Sequence, residues 1–186
     1  GKKILEGRRD PGAEFRQIQG ISCEKTAKEN PQHCYFSADK NKKKNRYKDV
    51  LPYENTRVKL GTGDNENDYI NANYVQGVLG FRYISTQAPL PITIKDFCQM
   101  VWEQEISIIL MLTRIIEKKT IKAYQYWPCQ VGAVDKINSN NSNSVNFSLK
   151  LINERVHECG YVCVRRLEII RRGGGKEGKE ERREVG

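Results

Sequence analysis

The run ISIILML at residues 106–112 is the longest largely apolar stretch of the chain and sets the strictest limit on its fold. It is far shorter than the roughly 20 residues that a helix needs to cross a bilayer. A short, continuous run rich in Ile and Leu is typical of a strand whose two faces are both buried, because a half-buried strand alternates apolar with polar residues. The sequence therefore predicts a sheet that is covered on both faces.

Further strands are predicted on both sides of this run. Residues 68–75 (DYINANYV) and 81–87 (FRYISTQ) are rich in β-branched and aromatic residues, and the glycines between them favour a turn, so they are predicted to form a hairpin. Residues 118–127 alternate well enough for another strand. The segments FSLKLINE and GYVCVRRLEII are predicted to form a second hairpin.

Helices are predicted in two places. Residues 89–104 show one apolar helical face, formed by Ile94, Phe97, Cys98 and Val101. Thr93 followed by Asp96 resembles a capping box at the start of this helix. Weaker helical spacing is present in residues 13–28. Strands with a helix between them predict an α+β fold, with a twisted mixed β-sheet and flanking helices.

The charge of the chain limits its partners and its compartment. Charged residues make up 30% of the 186 residues, the net charge is +9, and residues 39–48 carry six cations against one acid. Such a surface attracts nucleic acid, anionic membranes or phosphorylated proteins. The first residues show no apolar signal region, and six irregularly spaced cysteines do not indicate a disulfide framework. We therefore expect a cytoplasmic protein without a membrane span.

The last part of the sequence has a different composition. After Ile170 the residues RRGGGKEGKEERREVG contain a single aliphatic side chain, Val185. Segments with so little apolar surface cannot offset the entropy of folding. We therefore expect residues 171–186 to be a low-complexity, disordered tail, residues 1–12 to be an extension, and residues 13–170 to form the domain.

Several motifs give this chain a family resemblance. The segments KNRYKDVLPYENTRVKL, DYINANYV, YISTQAPL, DFCQMVWEQ and YWP occur in the order and spacing of the cysteine-dependent, tyrosine-specific protein phosphatases. The resemblance covers about residues 13–170. It implies part of the catalytic domain of an enzyme that dephosphorylates phosphotyrosine in proteins, and it implies neither a cofactor nor a metal.

The resemblance also implies a substrate-recognition site. Tyr47 resembles the residue whose ring stacks on phosphotyrosine, and such an aromatic contact contributes about 0.5–1.5 kcal/mol. Asp49 is expected to accept hydrogen bonds from the backbone of the substrate, which are strengthened by its charge. Lys48 is expected to favour acidic residues near the phosphotyrosine. Glu117 resembles an acid that braces the phosphate-binding arginine, and Lys122 resembles a cation that holds the loop of the catalytic acid.

The catalytic groups of the family are not found in these 186 residues. The chemistry needs a Cys within His-Cys-x5-Arg as nucleophile and an Asp after Trp-Pro as general acid. Cys159 and Arg165 have the right separation, but their surroundings are typical of a strand rather than of a phosphate-binding loop. Trp127-Pro128 is followed by Cys129 instead of Asp. We therefore assign no catalytic residue.

Two positions depart from the family pattern within the matching part. Ala88 stands where the family has Gly, and a Cβ would strain a backbone that needs the conformational freedom of glycine. Cys98 stands where an aromatic residue is usual. The loss of a large core side chain destabilises a fold by a few kcal/mol, unless the gap is refilled.

The function has two explanations within the family and two outside it. The chain is either an incomplete product of a phosphatase gene, as its unusual last residues suggest, or a non-catalytic protein that binds phosphotyrosine peptides or interferes with a relative. Outside the family, a zinc site of His157, Cys159 and Cys163 lacks a fourth nearby ligand. The basic residues 40–48 are not accompanied by a motif for binding nucleic acid.

Overall fold

A computed structural model describes residues 10–28, 35–61, 67–137, 145–158, 160, 162–173 and 179–186. The helices are α1 (Pro11–Lys28), α2 (Phe36–Lys40) and α3 (Ile94–Glu103), and short 3-10 turns span Lys42–Lys44, Val78–Gly80 and Pro91–Thr93. The strands are β1 (Arg57–Lys59), β2 (Tyr69–Gln76), β3 (Arg82–Thr86), β4 (Ile116–Glu117), β5 (Thr120–Ile121), β6 (Val134–Ile137), β7 (Asn146–Val156), β8 (Cys163–Arg172) and β9 (Glu180–Val185).

Within this described part, the strands pair in the orders β1-β2-β3, β4-β5 and β6-β7-β8-β9, and neighbouring strands are antiparallel. The α+β fold class is confirmed, as are the hairpins predicted around residues 76–80 and 157–162. The backbone of Gly186 also donates to Ser107 O at 2.9 Å and accepts from Ile109 N at 2.8 Å. This pattern is that of a parallel pair, so β9 and residues 107–109 add a parallel contact to the antiparallel pairs.

Helix α3 supplies one side of the core. Its apolar residues pack with β1, β2, β7, β8 and Val185, which confirms the predicted apolar face. The predicted capping box is wrong, because the side chain of Thr93 accepts from Leu90 N at 2.8 Å and makes no cap to α3. The Asp96 carboxylate instead lies 3.0 Å from Lys44 Nζ.

Residues 106–112 are not the doubly buried strand that the sequence predicts. Ile106 and Ile109 pack against the core, but the side chains of Ile108, Leu110 and Leu112 are 75%, 79% and 85% exposed. The hydrogen bonds to Gly186 hold this segment, and no regular strand is assigned to it. The prediction for residues 118–127 is also largely wrong, since among them only Thr120–Ile121 forms a strand.

The predicted disordered tail is wrong for the residues that are described at this end of the chain. Strand β8 continues to Arg172, and β9 pairs with it from Glu180 to Val185. Val185 is only 4% exposed and joins the core of Phe147, Leu149 and Ile169. Residues 174–178, between the two strands, lie outside the described residues. Residues 180–185 are therefore paired into the sheet.

Ion pairs across the strands explain how such a polar segment forms β9. Arg172 lies 2.8 Å from Glu180, and Arg171 lies 3.3 Å from Glu181, in both cases opposite each other in the register. Arg183 donates to Trp102 O at 2.7 Å and its guanidinium lies 4.3 Å from the Trp102 ring. Opposite charges that face each other across a sheet contribute about 0.2–1 kcal/mol per pair. Charge complementarity replaces the apolar alternation that sequence analysis looks for.

Helix α1 confirms the prediction for residues 13–28. Asp10 caps it, since its carboxylate accepts from the amides of Gly12 and Ala13 at 3.0 and 3.1 Å, and Pro11 occupies the first helical position. The apolar residues of the helix are nevertheless exposed, namely Phe15, Ile18 and Ile21. Spacing alone therefore predicted the helix but not the burial of its apolar side.

We predict that the exposed row of Ile108, Leu110 and Leu112 makes the chain self-associate. The alternation of exposure places these side chains on one side of the segment, and contiguous apolar surface of this kind favours association. Replacement of Leu110 and Leu112 by Lys is expected to increase the soluble fraction and to shift the elution in gel filtration toward the monomer.

A matched control is Val131→Lys, which adds a charge at another exposed aliphatic residue. We expect this variant to behave as the unchanged chain. A wild-type chain that stays monomeric at every concentration tested, or an equal gain in solubility from Val131→Lys, would contradict the role of the row.

Candidate functional site

The candidate site is the loop that joins the 3-10 turn Lys42–Lys44 to β1. Tyr47, Lys48, Asp49 and Val50 are exposed here, with 42% of Tyr47 accessible. On either side of them the chain is more buried, from Lys44 to Arg46 and again at Pro52. The predicted recognition residues are thus neighbours on a surface loop whose two ends are anchored in the fold.

Asn45 anchors the first end of this loop. Its amide donates to Ala38 O at 3.1 Å, and its carbonyl oxygen accepts from the Tyr69 hydroxyl and, at 3.0 Å, from the Asn71 amide. Tyr69 is fully buried in β2, and burial raises the pKa of its hydroxyl to about 12, although the hydrogen bond to Asn45 acts in the opposite direction. The hydroxyl therefore remains protonated and able to donate at neutral pH.

Gln87 and Arg46 join the same loop to the chain that follows β3. The Gln87 side chain accepts from Arg46 N at 2.8 Å and donates to Lys44 O at 2.7 Å. The Arg46 guanidinium donates to Ala88 O at 3.1 Å and to Pro89 O at 2.8 Å. A charged donor makes such bonds stronger than neutral pairs. These contacts fix the backbone immediately before Tyr47.

The expected strain at Ala88 is absent. Ala88 is not among the described residues with positive φ, so its backbone does not need the freedom of glycine. Its carbonyl instead accepts from Arg46. This departure from the family pattern therefore leaves the anchoring of the loop intact.

Two asparagines of β2 hold the second half of the loop. Asn71 donates to Val50 O at 3.0 Å, and Asn73 donates to Tyr53 O at 3.2 Å and to the Thr56 hydroxyl at 2.7 Å. Residues two apart point to the same face of a strand, so both amides reach the same stretch of chain. Asn71 is buried, and a buried amide is costly unless its donors and acceptor are paired.

Lys44 is held at the entrance to the loop by Asp96 of α3. Burial raises the pKa of the Asp96 carboxyl, and the nearby Lys44 ammonium, 3.0 Å away, acts against this rise. Lys44 Nζ also lies 3.5 Å from Tyr69 O. Two cations of the basic segment 39–48, Lys44 and Arg46, thus serve the fold. This structural use weakens the hypothesis of a nucleic-acid surface.

Lys122 lies beside Tyr47. Its ammonium is 5.7 Å from the centroid of the Tyr47 ring, which is within the range of a cation–π contact. Lys122 directly follows β5, and its backbone N donates to Ile115 O at 2.8 Å. The fold therefore brings together two residues that the sequence analysis placed in separate roles, and gives the loop a cation close to the face of its aromatic ring.

Glu117 lies on the short hairpin that carries Lys122. Its carboxylate accepts from Arg114 N at 3.1 Å, and it faces Thr120 in the register of β4 and β5. The turn between these strands contains Lys118 and Lys119 at φ 48° and 63°. The predicted role of Glu117, bracing a phosphate-binding arginine, remains a prediction.

Arg165 and Cys129, which the sequence analysis compared with catalytic residues of the family, make contacts typical of structural residues. Arg165 lies on β8, where Nε is 2.6 Å from Glu154 Oε2 and the guanidinium is 4.8 Å from the Trp127 ring. Cys159 lies outside the described residues, so neither its pairing with Arg165 nor the alternative of a zinc site, which the sequence analysis disfavoured, is tested. Among the described residues, no group of three or more potential metal ligands lies together. Cys129 is exposed and accepts from the Gln125 amide at 3.3 Å.

The core has adapted to Cys98. The thiol is fully buried, and burial raises its pKa well above the ordinary range, so it stays neutral and unreactive. A cavity of only about 10 Å³, lined by apolar residues that include Phe97, Tyr126 and Val185, remains beside it. That volume is about the size of one water molecule. The space beside Cys98 is therefore small and apolar.

Sequence analysis found the exposed residues of the loop but missed their anchors, Asn45, Asn71 and Gln87. A signal was present, because Asn71 and Asn73 alternate with apolar residues in the first part of β2. A polar side chain that is buried in a sheet needs a partner, and here the partner is the loop.

The described helices include none that is long and apolar enough to cross a membrane.

Comparisons with known proteins agree with these motifs. The family model for protein-tyrosine phosphatase matches residues 41–185. The chain is 42% identical over 139 residues to tyrosine-protein phosphatase non-receptor type 20 of Mus musculus, covering 73% of this chain and 30% of that protein. It is 38% identical over 139 residues to the non-receptor type 13 enzyme of Mus musculus, covering 73% of this chain and 5% of that protein.

Solved structures show the same similarity. The catalytic domain of human protein tyrosine phosphatase non-receptor type 18 superposes with a TM-score of 0.69 at 34% identity, covering 94% of this chain and 59% of that chain. A structure of PTPN18 in complex with HER2 phosphopeptides gives a TM-score of 0.70 at 33% identity, covering 94% and 61%. The chain thus spans about three fifths of these solved chains, and less than a third of the curated relatives.

We predict that Tyr69 makes the stability of the fold fall at alkaline pH. Below about pH 10 its hydroxyl is protonated in both states, so its contribution is fully present; it is lost as the pH rises toward about 12, the pKa in the folded chain. Between pH 9 and 11, wild type is expected to lose about 1 kcal/mol more than Tyr69→Phe. Urea unfolding at several pH values measures this difference.

At neutral pH the same variant tests the anchor, because it removes the hydrogen bond to Asn45. We expect a loss of about 1 kcal/mol in the free energy of unfolding. An identical pH dependence for the two proteins would show that Tyr69 is not buried as described.

Proposed function

Because this chain belongs to the protein-tyrosine phosphatase family, we propose that its anchored loop is the substrate-recognition part of a phosphotyrosine-specific catalytic domain. The observation that carries the proposal is the cluster at Tyr47, where an exposed aromatic ring, Lys48, Asp49 and the Lys122 ammonium lie together on a fixed backbone. The described part of the chain, however, offers no phosphate cradle to accompany it. We therefore propose that the 186 residues recognise phosphotyrosine without hydrolysing it.

Each exposed residue of the loop has a separate task in this proposal. Tyr47 presents a flat apolar wall on which a phosphotyrosine ring stacks. Asp49 accepts hydrogen bonds from the backbone amides of the bound peptide and holds it in register. Lys48 attracts acidic residues of the substrate near the phosphotyrosine. The anchors on both sides support these tasks, because a loop that is already ordered loses little entropy when a peptide binds.

Lys122 and Glu117 act behind this surface. An ammonium 5.7 Å from the Tyr47 ring is near enough to attract the phosphate of a phosphotyrosine that stacks there. In a longer polypeptide with the complete catalytic machinery, Lys122 also holds the loop of the general acid, and Glu117 braces the arginine that binds phosphate. Both of those roles follow from the family resemblance.

The absence of hydrolysis follows from the residues at hand. Neither a His-Cys-x5-Arg nor a Trp-Pro-Asp sequence occurs in the 186 residues, and Trp127-Pro128 belongs to the separate YWP motif of the family, so it supplies no acid. Arg165, which has the spacing of a phosphate ligand to Cys159, is engaged with Glu154 and Trp127. The chain therefore lacks the nucleophile, the phosphate cradle and the acid together.

A second candidate function uses the same recognition outside any catalytic domain, so that the chain itself captures phosphotyrosine proteins in the cytoplasm or interferes with a relative. The proximity of Lys122 and Tyr47 favours it, since a ring and a cation side by side provide a weak site for an aryl phosphate. PTPN18, which is similar to this chain, has a solved structure in complex with HER2 phosphopeptides. Without a complete cradle, the binding of such peptides to this chain is expected to be weak.

The test compares a fluorescent phosphotyrosine peptide with its unphosphorylated twin in anisotropy titrations. We predict tighter binding of the phosphopeptide, and a loss of about two- to tenfold in Tyr47→Ala from the missing stacking contact. Release of inorganic phosphate is measured in the same samples and is expected to stay at the level of the buffer.

Tyr83→Ala, which removes another exposed tyrosine on β3, serves as the control and should leave peptide affinity unchanged. Equal affinity for the two peptides would remove the binding function but not the family membership. Release of phosphate by the purified chain would instead disprove the absence of hydrolysis.

A further inference from the structure

The hairpin of β2 and β3 has a composition unlike the rest of the chain. Residues 69–90 contain no acidic residue and a single cation, Arg82, although 30% of the whole chain is charged. Hairpins that face water normally carry charges on their solvent side. Here the side chains at the turn are aliphatic and aromatic instead.

The turn itself projects these side chains outward. Val78, Leu79 and Phe81 are 81%, 90% and 62% exposed at the tip. Tyr83 is also exposed, and its ring packs so closely on Gly77 that a Cβ at that glycine would clash with it. The tip is therefore a shaped apolar projection, with one cation, Arg82, at the start of β3.

Leu79 adds an independent observation. Its φ of 60° lies in the left-handed region, where Gly and Asn are favoured and Leu is rare. The hairpin turn requires this conformation, since Leu79 and Gly80 both have positive φ and Phe81 N donates to Val78 O across them at 3.4 Å. The turn would be made more easily by Asn at this position, and a leucine at 90% exposure gains little from packing within the fold, so the turn alone does not explain the choice of Leu79.

We propose that this tip, Val78–Phe81, inserts into the headgroup region of an anionic lipid bilayer. The net charge of +9 attracts the chain to an anionic surface, and the aliphatic residues of the tip then leave water. Arg82 reaches back to the phosphates while its stem stays among apolar groups. The rings of Tyr74 and Tyr83, on the two strands, match the amphipathic side chains that favour the membrane interface.

The shape of the surface favours a bilayer over a protein partner. A protein partner would be accommodated by a groove or a flat patch, whereas this tip is a convex end of a hairpin with its largest exposure at one residue. The absence of carboxylates in residues 69–90 also removes the repulsion that an anionic leaflet would exert. A bilayer fits both features. If the tip instead binds a protein partner, the chain will not bind the vesicles in the test below.

The experiment is a vesicle flotation assay with the full 186-residue chain and Leu79→Asn. Flotation separates bound protein, which rises with the vesicles, from aggregates, which sink. Vesicles of phosphatidylcholine with phosphatidylserine are compared with phosphatidylcholine alone. We expect wild type to float with the anionic vesicles and Leu79→Asn to bind them about tenfold more weakly, since it leaves one large aliphatic side chain less to bury.

For the same variant, Leu79→Asn, we expect thermal stability and vesicle binding to change in opposite directions. Asn tolerates the left-handed backbone better than Leu, so Leu79→Asn is expected to raise the Tm by about 2–4 °C while it weakens vesicle binding. A protein that becomes more stable and yet binds less cannot have lost binding by unfolding. An unchanged or lowered Tm would contradict the strain that supports the proposal.

Val131→Asn is the control, because Val131 is an exposed aliphatic residue that belongs neither to the tip nor to the row of Ile108, Leu110 and Leu112. We expect it to float as wild type does. Failure of wild type to float with anionic vesicles would overturn the proposal. It would equally be overturned if neutral vesicles bound as well, or if Val131→Asn lost as much binding as Leu79→Asn.

Discussion

The hydrogen bonds of a few buried polar side chains are the constraint on which this structure depends. Strand β2 lies within the core, yet it carries Asn71, whose amide needs partners once water is excluded. Those partners are Asn45 and Val50 O, at the two ends of the exposed loop. Satisfying the amide therefore also fixes the loop, so that the requirement of the core places Tyr47, Lys48 and Asp49 on an ordered surface.

The sequence predicted most of the elements but not all of their environments. The hairpins of β2–β3 and β7–β8 were predicted correctly from composition and turn residues, although burial in β2 and β7 is concentrated toward one end of the strand and does not alternate. The run at 106–112 was misjudged, since apolar composition measures a tendency to be buried and cannot supply the surface that buries it. Strand β9 was missed for the opposite reason, because its partners are charges on β8, and complementarity between distant segments is invisible in local composition.

The candidate site was predictable in part for the same physical reasons. Tyr47, Lys48 and Asp49 were found from motifs, and their exposure agrees with a role at the surface. Their support was not found, since Gln87 is far from Arg46 in sequence and the contact of Lys122 with Tyr47 depends on how the β4–β5 hairpin packs. The roles of Lys122 and Glu117 in catalysis stay predictions, because the residues that they would serve do not occur in this chain.

The central claim is that the recognition loop is ordered before any substrate arrives, and amide hydrogen exchange at Arg46 tests it most directly. This amide donates to Gln87 Oε1 at 2.8 Å, within a buried part of the loop. The account predicts slow exchange at Arg46 in the free chain, and a clear acceleration in Gln87→Ala, where the acceptor is missing. Exchange at the rate of an unstructured peptide in the unchanged chain would contradict it, and would mean that the loop takes its shape only on the substrate.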